Sequence, residues 1–207
     1  NLTSTQLNLM QTSDVAALST AAVASLTSTQ LNALTSTNLQ ALSTAQAAAL
    51  TTTQAANLTS TQLNLLQTSD VGALSTAAVA SLTSTQLNAL NSTNLEALST
   101  AQVAKLTTTQ VSNLTSTQLN LMQTTDVAAL TTTQMASLTA TQLDNLDASH
   151  LAALPSVASL TSTQLNAMAS TNLQALSTTQ AAALTTTQVS NLTSTQLNLM
   201  QTSDVAA

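Results

Sequence analysis

The 207 residues are 43% hydrophobic yet contain no Phe, Trp, Tyr or Cys, one Gly, one Pro and only 4% charged side chains. Without aromatics a core has to be assembled from many small, similar contacts, and without cysteine neither disulfides nor thiolate metal sites can form. A net charge of −6 with Lys105 as the only Lys or Arg gives no footprint for nucleic acid or anionic lipid, and no apolar run reaches the roughly 18–20 residues of a membrane span.

From Leu2 onward a Leu or Met returns at every eighth residue, as Met10, Leu18, Leu26, Leu34, Leu42 and so on to Met200, with one shortened step. A second apolar residue stands five places after each: Leu7, Val15, Val23, Leu31, Leu39, Ala47, Ala55. The octad reads Leu, a Ser/Thr triplet, an amide or acid, a second apolar residue, then two variable positions. A longer period lies over it. Residues 2–57 hold seven octads, and 58–113 repeat them almost letter for letter. Residues 114–191 keep the order but carry three added octads at 130–153 and a shortened one, LPSVAS, at 154–159. Residues 192–207 open a fourth unit, and LTSTQLNL begins all four. Residues 1–207 therefore read as one continuous octapeptide-repeat solenoid, and insertion by whole octads makes the octad its structural quantum.

The first octad shows what such a unit can fold into. With Thr3 as helix N-cap, Gln6 falls at the third helical position (N3) and completes a capping box, while Leu2 and Leu7 form a hydrophobic staple. This predicts a helix from Ser4 to Met10, cut short when the next cap arrives. In the second octad Asp14 replaces Gln, as Asp70, Asp126 and Asp204 do later, and an acid in the first turn suits the helix dipole. The third octad, LSTAAVAS at Leu18 and again at Leu74, keeps the Ser cap and staple but has no N3 polar side chain. The full pattern returns at Thr27/Gln30 with Leu26/Leu31, and at Thr193/Gln196 with Leu192/Leu197.

Two other folds compete. In one long helix the apolar stripe would drift about 80° per octad and leave no single buried face, and recurring Ser/Thr triplets are poor helix interior. A β-solenoid is the alternative favoured by Thr, Val and stackable amides. Its tight corners call for Gly, of which Gly72 is the only example, and the two apolar positions have opposite parity along a strand. The expectation is all-α: a repeat solenoid of very short capped helices, one per octad. Burying two apolar side chains yields about 3–6 kcal/mol, against about 1–2 kcal/mol per residue for ordering the backbone. One octad cannot stand alone, and stacking has to bury Leu, Val and Ala inside with Ser, Thr and Asn outside. Seven octads per long unit and an insert of three are both odd, so the octads should be near-equivalent, with no face reserved for one ligand.

Runs such as LTTTQ, LSTAQ and LTSTQ, with Leu at eight-residue spacing, resemble the repeat regions of very large bacterial secreted or surface proteins. Those carry adhesin, haemagglutinin or haem-utilisation-like labels. The resemblance covers essentially the whole chain and implies an extracellular, structural or adhesive role. No residue here supports the haem label.

Individual residues offer little chemistry. His150 is the only His, and Asp144 and Asp147 are the only acids near it, so a metal or haem ligand would lack partners. DASH reads better as a cap, with Asp147 at N-cap and His150 at N3. Ser149, His150 and Asp147 contain the letters of a catalytic triad, but without a nucleophile elbow or oxyanion feature. Thr-x-Thr spacing suggests ice binding only on a flat β-face. NLT at Asn1, Asn57, Asn113 and Asn191, and NST at Asn91, match glycosylation acceptors, although the repeat alone accounts for them. Met10, Met122, Met135, Met168 and Met200 occupy Leu/Val positions and read as core filling. No catalytic, cofactor-binding or metal residue is assigned. The expectation is a non-enzymatic, secreted or cell-surface fibre or stalk that self-associates, binds no nucleic acid, has no membrane span and contacts a cell or host surface. The alternatives are an adhesin stalk with a tip domain outside this stretch, and an ice- or surface-binding repeat.

Overall fold

The computed structural model describes residues 2–200. Asn1 and residues 201–207, which include Asp204 and half of the unit at 192–207, lie outside the described residues. Among those described there are 24 α-helices and one 3₁₀ turn, Val157–Ser159, and no strand. The α-helices are four to six residues long, as in Thr100–Val103 and Ser60–Leu65.

Each helix begins where its octad's cap predicts. The Thr3 hydroxyl accepts the Gln6 N–H at 3.2 Å, and Gln6 Oε1 accepts the Thr3 N–H at 2.8 Å. The N-caps are extended, Thr3 at φ −80° and ψ 161° for example, so each cap turns the chain into a new helix. The first helix is Ser4–Asn8, shorter than the expected Ser4 to Met10. Leu9 still has helical dihedrals but is the C-cap, and Gln11 is already the extended N-cap of the next helix. Strands do not form because each cap commits only a residue or two to extended backbone before the next helix starts. No described residue has positive φ, so the corners need no glycine.

Both apolar positions of the octad are buried. Leu31, Val23 and Ala47 occupy the helical one, and Leu42, Leu50 and Leu58 the octad-opening one. Leu2, Val189 and Leu197 are exceptions at 43%, 41% and 38% exposure, and Leu9, at 80%, stands at a variable position of its octad.

The chain gathers into two compact units, Asn1–Lys105 and Leu106–Ala207. Within Asn1–Lys105, side chains of one coil bond backbone of the coil before it at separations of 28 and 31 residues. A separation of 28 is three and a half octads, so the fifth residue of an octad stacks over the first residue of an earlier one. Two coils then make the 56-residue long unit seen in the sequence at 2–57 and 58–113. Leu106–Ala207 follows the same rule, with Gln142 bonding back to Leu114 and Val111.

The shortened octad is accommodated without losing the core. Pro155 stands where the cap residue would be, the helix contracts to the 3₁₀ turn, and Val157 still fills the interior at 0% exposure.

Candidate functional site: a ladder of side-chain amides

A five-residue helix leaves most of its backbone carbonyls without a partner in the helix. The N3 residue of the next coil answers this. Gln46 Oε1 accepts the Ser43 N–H at 2.7 Å, closing the capping box, while Nε2 donates to the carbonyls of Val15 at 2.9 Å and Leu18 at 2.7 Å in the preceding coil. Gln54 does the same to Val23 and Leu26, Gln86 to Ala55 and Leu58, and Gln102 to Val71 and Leu74. In the second unit Gln188 reaches Val157 at 2.9 Å and Leu160 at 2.6 Å. Across the shortened octad the rungs persist, and Gln164 bonds Met135 and Leu138 at separations of 29 and 26. Glutamine suits the task because one end accepts and the other donates. Every buried polar residue among those described occupies this N3 position.

A second set of amides reaches forward. Asn64 Nδ2 donates to the Ala89 carbonyl at 2.6 Å, and its Oδ1 accepts the Asn91 N–H at 2.8 Å in the following coil. The two sets compensate each other. Where N3 is Asn38 or Asn94, the side chain still donates backward, to Leu7 or Leu63. The cap N–H is then taken by Asn8 or Asn64 of the preceding coil, at Thr35 and Asn91 respectively. In the second unit Asn172 bonds Leu143 and Asp144, and Asp144 accepts the Ala169 N–H.

The expected cap at His150 is observed, and it explains that residue. Asp147 is the N-cap and accepts the His150 N–H at 2.9 Å. The His150 ring is buried, with Nε2 donating to the Met122 carbonyl at 2.8 Å and Nδ1 lying 2.8 Å from Asp147 Oδ1. His150 is thus a rung in the place of Gln, and Asn120 accepts the Asp147 N–H as the compensation rule requires. The Ser149 hydroxyl donates to Asp147 at 2.7 Å, away from His150 Nε2, which is not the relay of a triad. That hydroxyl, the His150 N–H and the His150 ring hold the Asp147 carboxyl well below the usual carboxylate range.

Elsewhere the structure revises the reading of the first-turn acids. Asp14 is exposed, but Asp70 and Asp126 are buried at 1% and 2% exposure, each with Oδ2 lacking a partner. Burial pushes both carboxyls above the ordinary range, against the lowering bonds from the backbone of Gln67 and Gln123. Both stand in the first turn as expected, and burial is the larger influence on them there. The caps of these helices, Gln67 and Gln123, make no side-chain cap bond.

Asn57, Asn113 and Asn191 are exposed at helix ends, with Nδ2 donating to the Thr53, Thr109 and Thr187 carbonyls, while Asn91 is an N-cap. Met122, Met135 and Met168 are buried. A cavity of about 520 Å³ opens on the first coil, lined by Leu2, Leu7, Leu18, Leu26 and Gln30 among others. Its polar linings are already engaged in the fold: Gln30 and Thr27 in a capping box and Ser25 on the Ala22 carbonyl. Among the described residues no group of three His, Cys, Asp or Glu could hold a metal ion, and no helix is long and apolar enough to cross a membrane.

The rungs are what sequence reasoning missed, since capping alone had accounted for the Gln. A signal was present: a capping box needs only a side-chain oxygen, which Glu supplies equally well, yet no octad places Glu at N3. Gln supplies the donor that Glu lacks, and the N3 positions that depart from an amide are the Ala, Asp and His octads.

No curated protein matches the chain. The family model of the ALTTAQ repeat matches residues 7–43, 63–100 and 157–194, together more than half of the length. The first two matches start 56 residues apart, one long unit, and both lie in Asn1–Lys105. With its octads, caps and rungs in this arrangement, the chain belongs to the ALTTAQ repeat family.

Proposed function

We propose that this repeat protein is a non-enzymatic structural element, secreted or held at a cell surface, that self-associates into a fibre or extends as a stalk. One observation carries the reading. The rung from N3 to the preceding coil recurs with the same atoms from octad to octad, so length can be added without new chemistry. The buried side-chain amides are consumed by this ladder, and the outward Ser and Thr give a hydrated surface of low charge. Resemblance to the repeat regions of large bacterial surface proteins supports the extracellular setting and the second form, a stalk whose recognition domain lies outside this stretch.

Electron microscopy and sedimentation of the purified chain over a range of concentrations test the proposal. Uniform filaments that lengthen with concentration are expected for a fibre, and separate particles at every concentration for a stalk. Intracellular retention in fractionated source cells would overturn both. The ice-binding alternative has less support, because a cap hydroxyl such as that of Thr27 both accepts the Gln30 N–H and donates to Gln30 Oε1. Absence of thermal hysteresis is the expected result.

A further inference from the structure

At residue 70 the ladder meets a side chain that cannot serve it in its ionised form. Asp70 is an N3 residue at 1% exposure, and its Oδ2 is buried without a partner. A carboxylate only accepts. By the 28- and 31-residue register that pairs Gln102 with Leu74 and Val71, the groups opposite Asp70 are the carbonyls of Leu42 and Leu39, which also only accept. The preceding coil is within side-chain reach at this point, since Gln67 Nε2, one helical turn earlier, donates to the Gln40 carbonyl at 2.7 Å. The buried N3 amides of this unit, Asn38, Gln46, Gln54, Gln86, Asn94 and Gln102, each present a donor to the coil before them.

We propose that Asp70 is a proton-operated rung: its protonated carboxyl donates from Oδ2 to a backbone carbonyl of the preceding coil, so acidification fastens two coils that a buried, unpartnered carboxylate holds less firmly at neutral pH. The proton acts locally. Of the helices packed on Thr68–Ala73, Thr44–Ala48 carries no titratable group and Ser92–Glu96 carries only Glu96, which is exposed. The adjoining helices Ser60–Leu65 and Thr76–Ser81 carry none. Burial raises the Asp70 carboxyl above its ordinary value, in the direction the geometry requires. A raised carboxyl contributes stability that is complete below the unfolded-state value of about 3.9 and is lost as pH rises through the folded-state value.

Asp70→Asn supplies a permanent donor in nearly the same volume, as Asn94 does naturally. Denaturant midpoints of the full chain and of D70N, measured from pH 4 to pH 8, should show D70N the more resistant near neutrality. That advantage should shrink toward pH 4, where the parent chain gains its own donor. Carboxyl ¹³C NMR of the unmutated chain reads the group directly, even if the variant folds poorly, and Asp70 should titrate above the usual Asp range. A D70N effect independent of pH, or an Asp70 resonance titrating in the ordinary range, would overturn the proposal.

Discussion

A side chain with two opposite functional ends decides this fold. Gln46 closes the cap of its own helix with Oε1 and fastens the previous coil with Nε2, at 1% exposure. Gln46→Ala removes the side-chain partner of the Ser43 N–H and of the Val15 and Leu18 carbonyls, and a loss of about 1–3 kcal/mol is expected in urea denaturation. Gln46→Glu keeps the acceptor but buries a charge and removes the donor. At pH 7 it should destabilise more than Gln46→Ala, and recover as the Glu protonates in acid. If both variants cost the same at every pH, the cap alone would be carrying the residue. The cap itself was legible in the sequence, because its partners are three residues apart. The rung was not, since its partners are 28 and 31 residues away and no local pattern joins them.

At the level of the helix, shortness is the governing fact. Five or six residues are far below the length at which a helix persists alone in water, so caps and neighbours supply its order. Thr83→Ala removes the hydroxyl that accepts the Gln86 N–H at 3.1 Å. A loss of about 1 kcal/mol is expected, visible as faster amide exchange across Ser84–Asn88. Gly72 is a different case. An added Cβ would lie 3.0 Å from the Ala97 carbonyl oxygen, offsetting the gain of about 1 kcal/mol in helix propensity from Gly to Ala. The corresponding position one long unit earlier is Ala16, so the spacing between coils can adjust to a methyl group. Gly72→Ala should therefore shift thermal unfolding only slightly. Helix starts were readable from Thr, Ser and Gln, whereas helix ends were overestimated, because the chain must be extended again for the next cap.

For the chain as a whole, the relation between octad and coil sets which length changes are tolerated. A coil of three and a half octads always lays the fifth octad position over the first, so inserting a complete octad preserves every pairing. Inserting four residues in the loop at Leu50 would place like positions over like in the coil that spans it. An octad duplicated there should leave the helical circular dichroism signal per residue and the melting temperature nearly unchanged. A four-residue insertion should lower the melting temperature sharply, or give a separate early transition for the affected coil. The repeat and the all-α class were plain from eight-residue spacing and capping. The coil period was not, although the 56-residue duplication is two coils long, because nothing inside an octad states how many octads close a turn.

The 28-residue separation of the rungs also sets what happens when such a chain is pulled by its ends. Within each unit a coil is held to the one before by its own group of side-chain amides, and those groups are alike from coil to coil. Extension should release one coil after another at similar force, each yielding about 28 × 3.5 Å, or roughly 100 Å, of new contour length. In single-molecule force spectroscopy the expected trace is a row of nearly equal teeth, and the molecule behaves as a spool that pays out its thread by the turn.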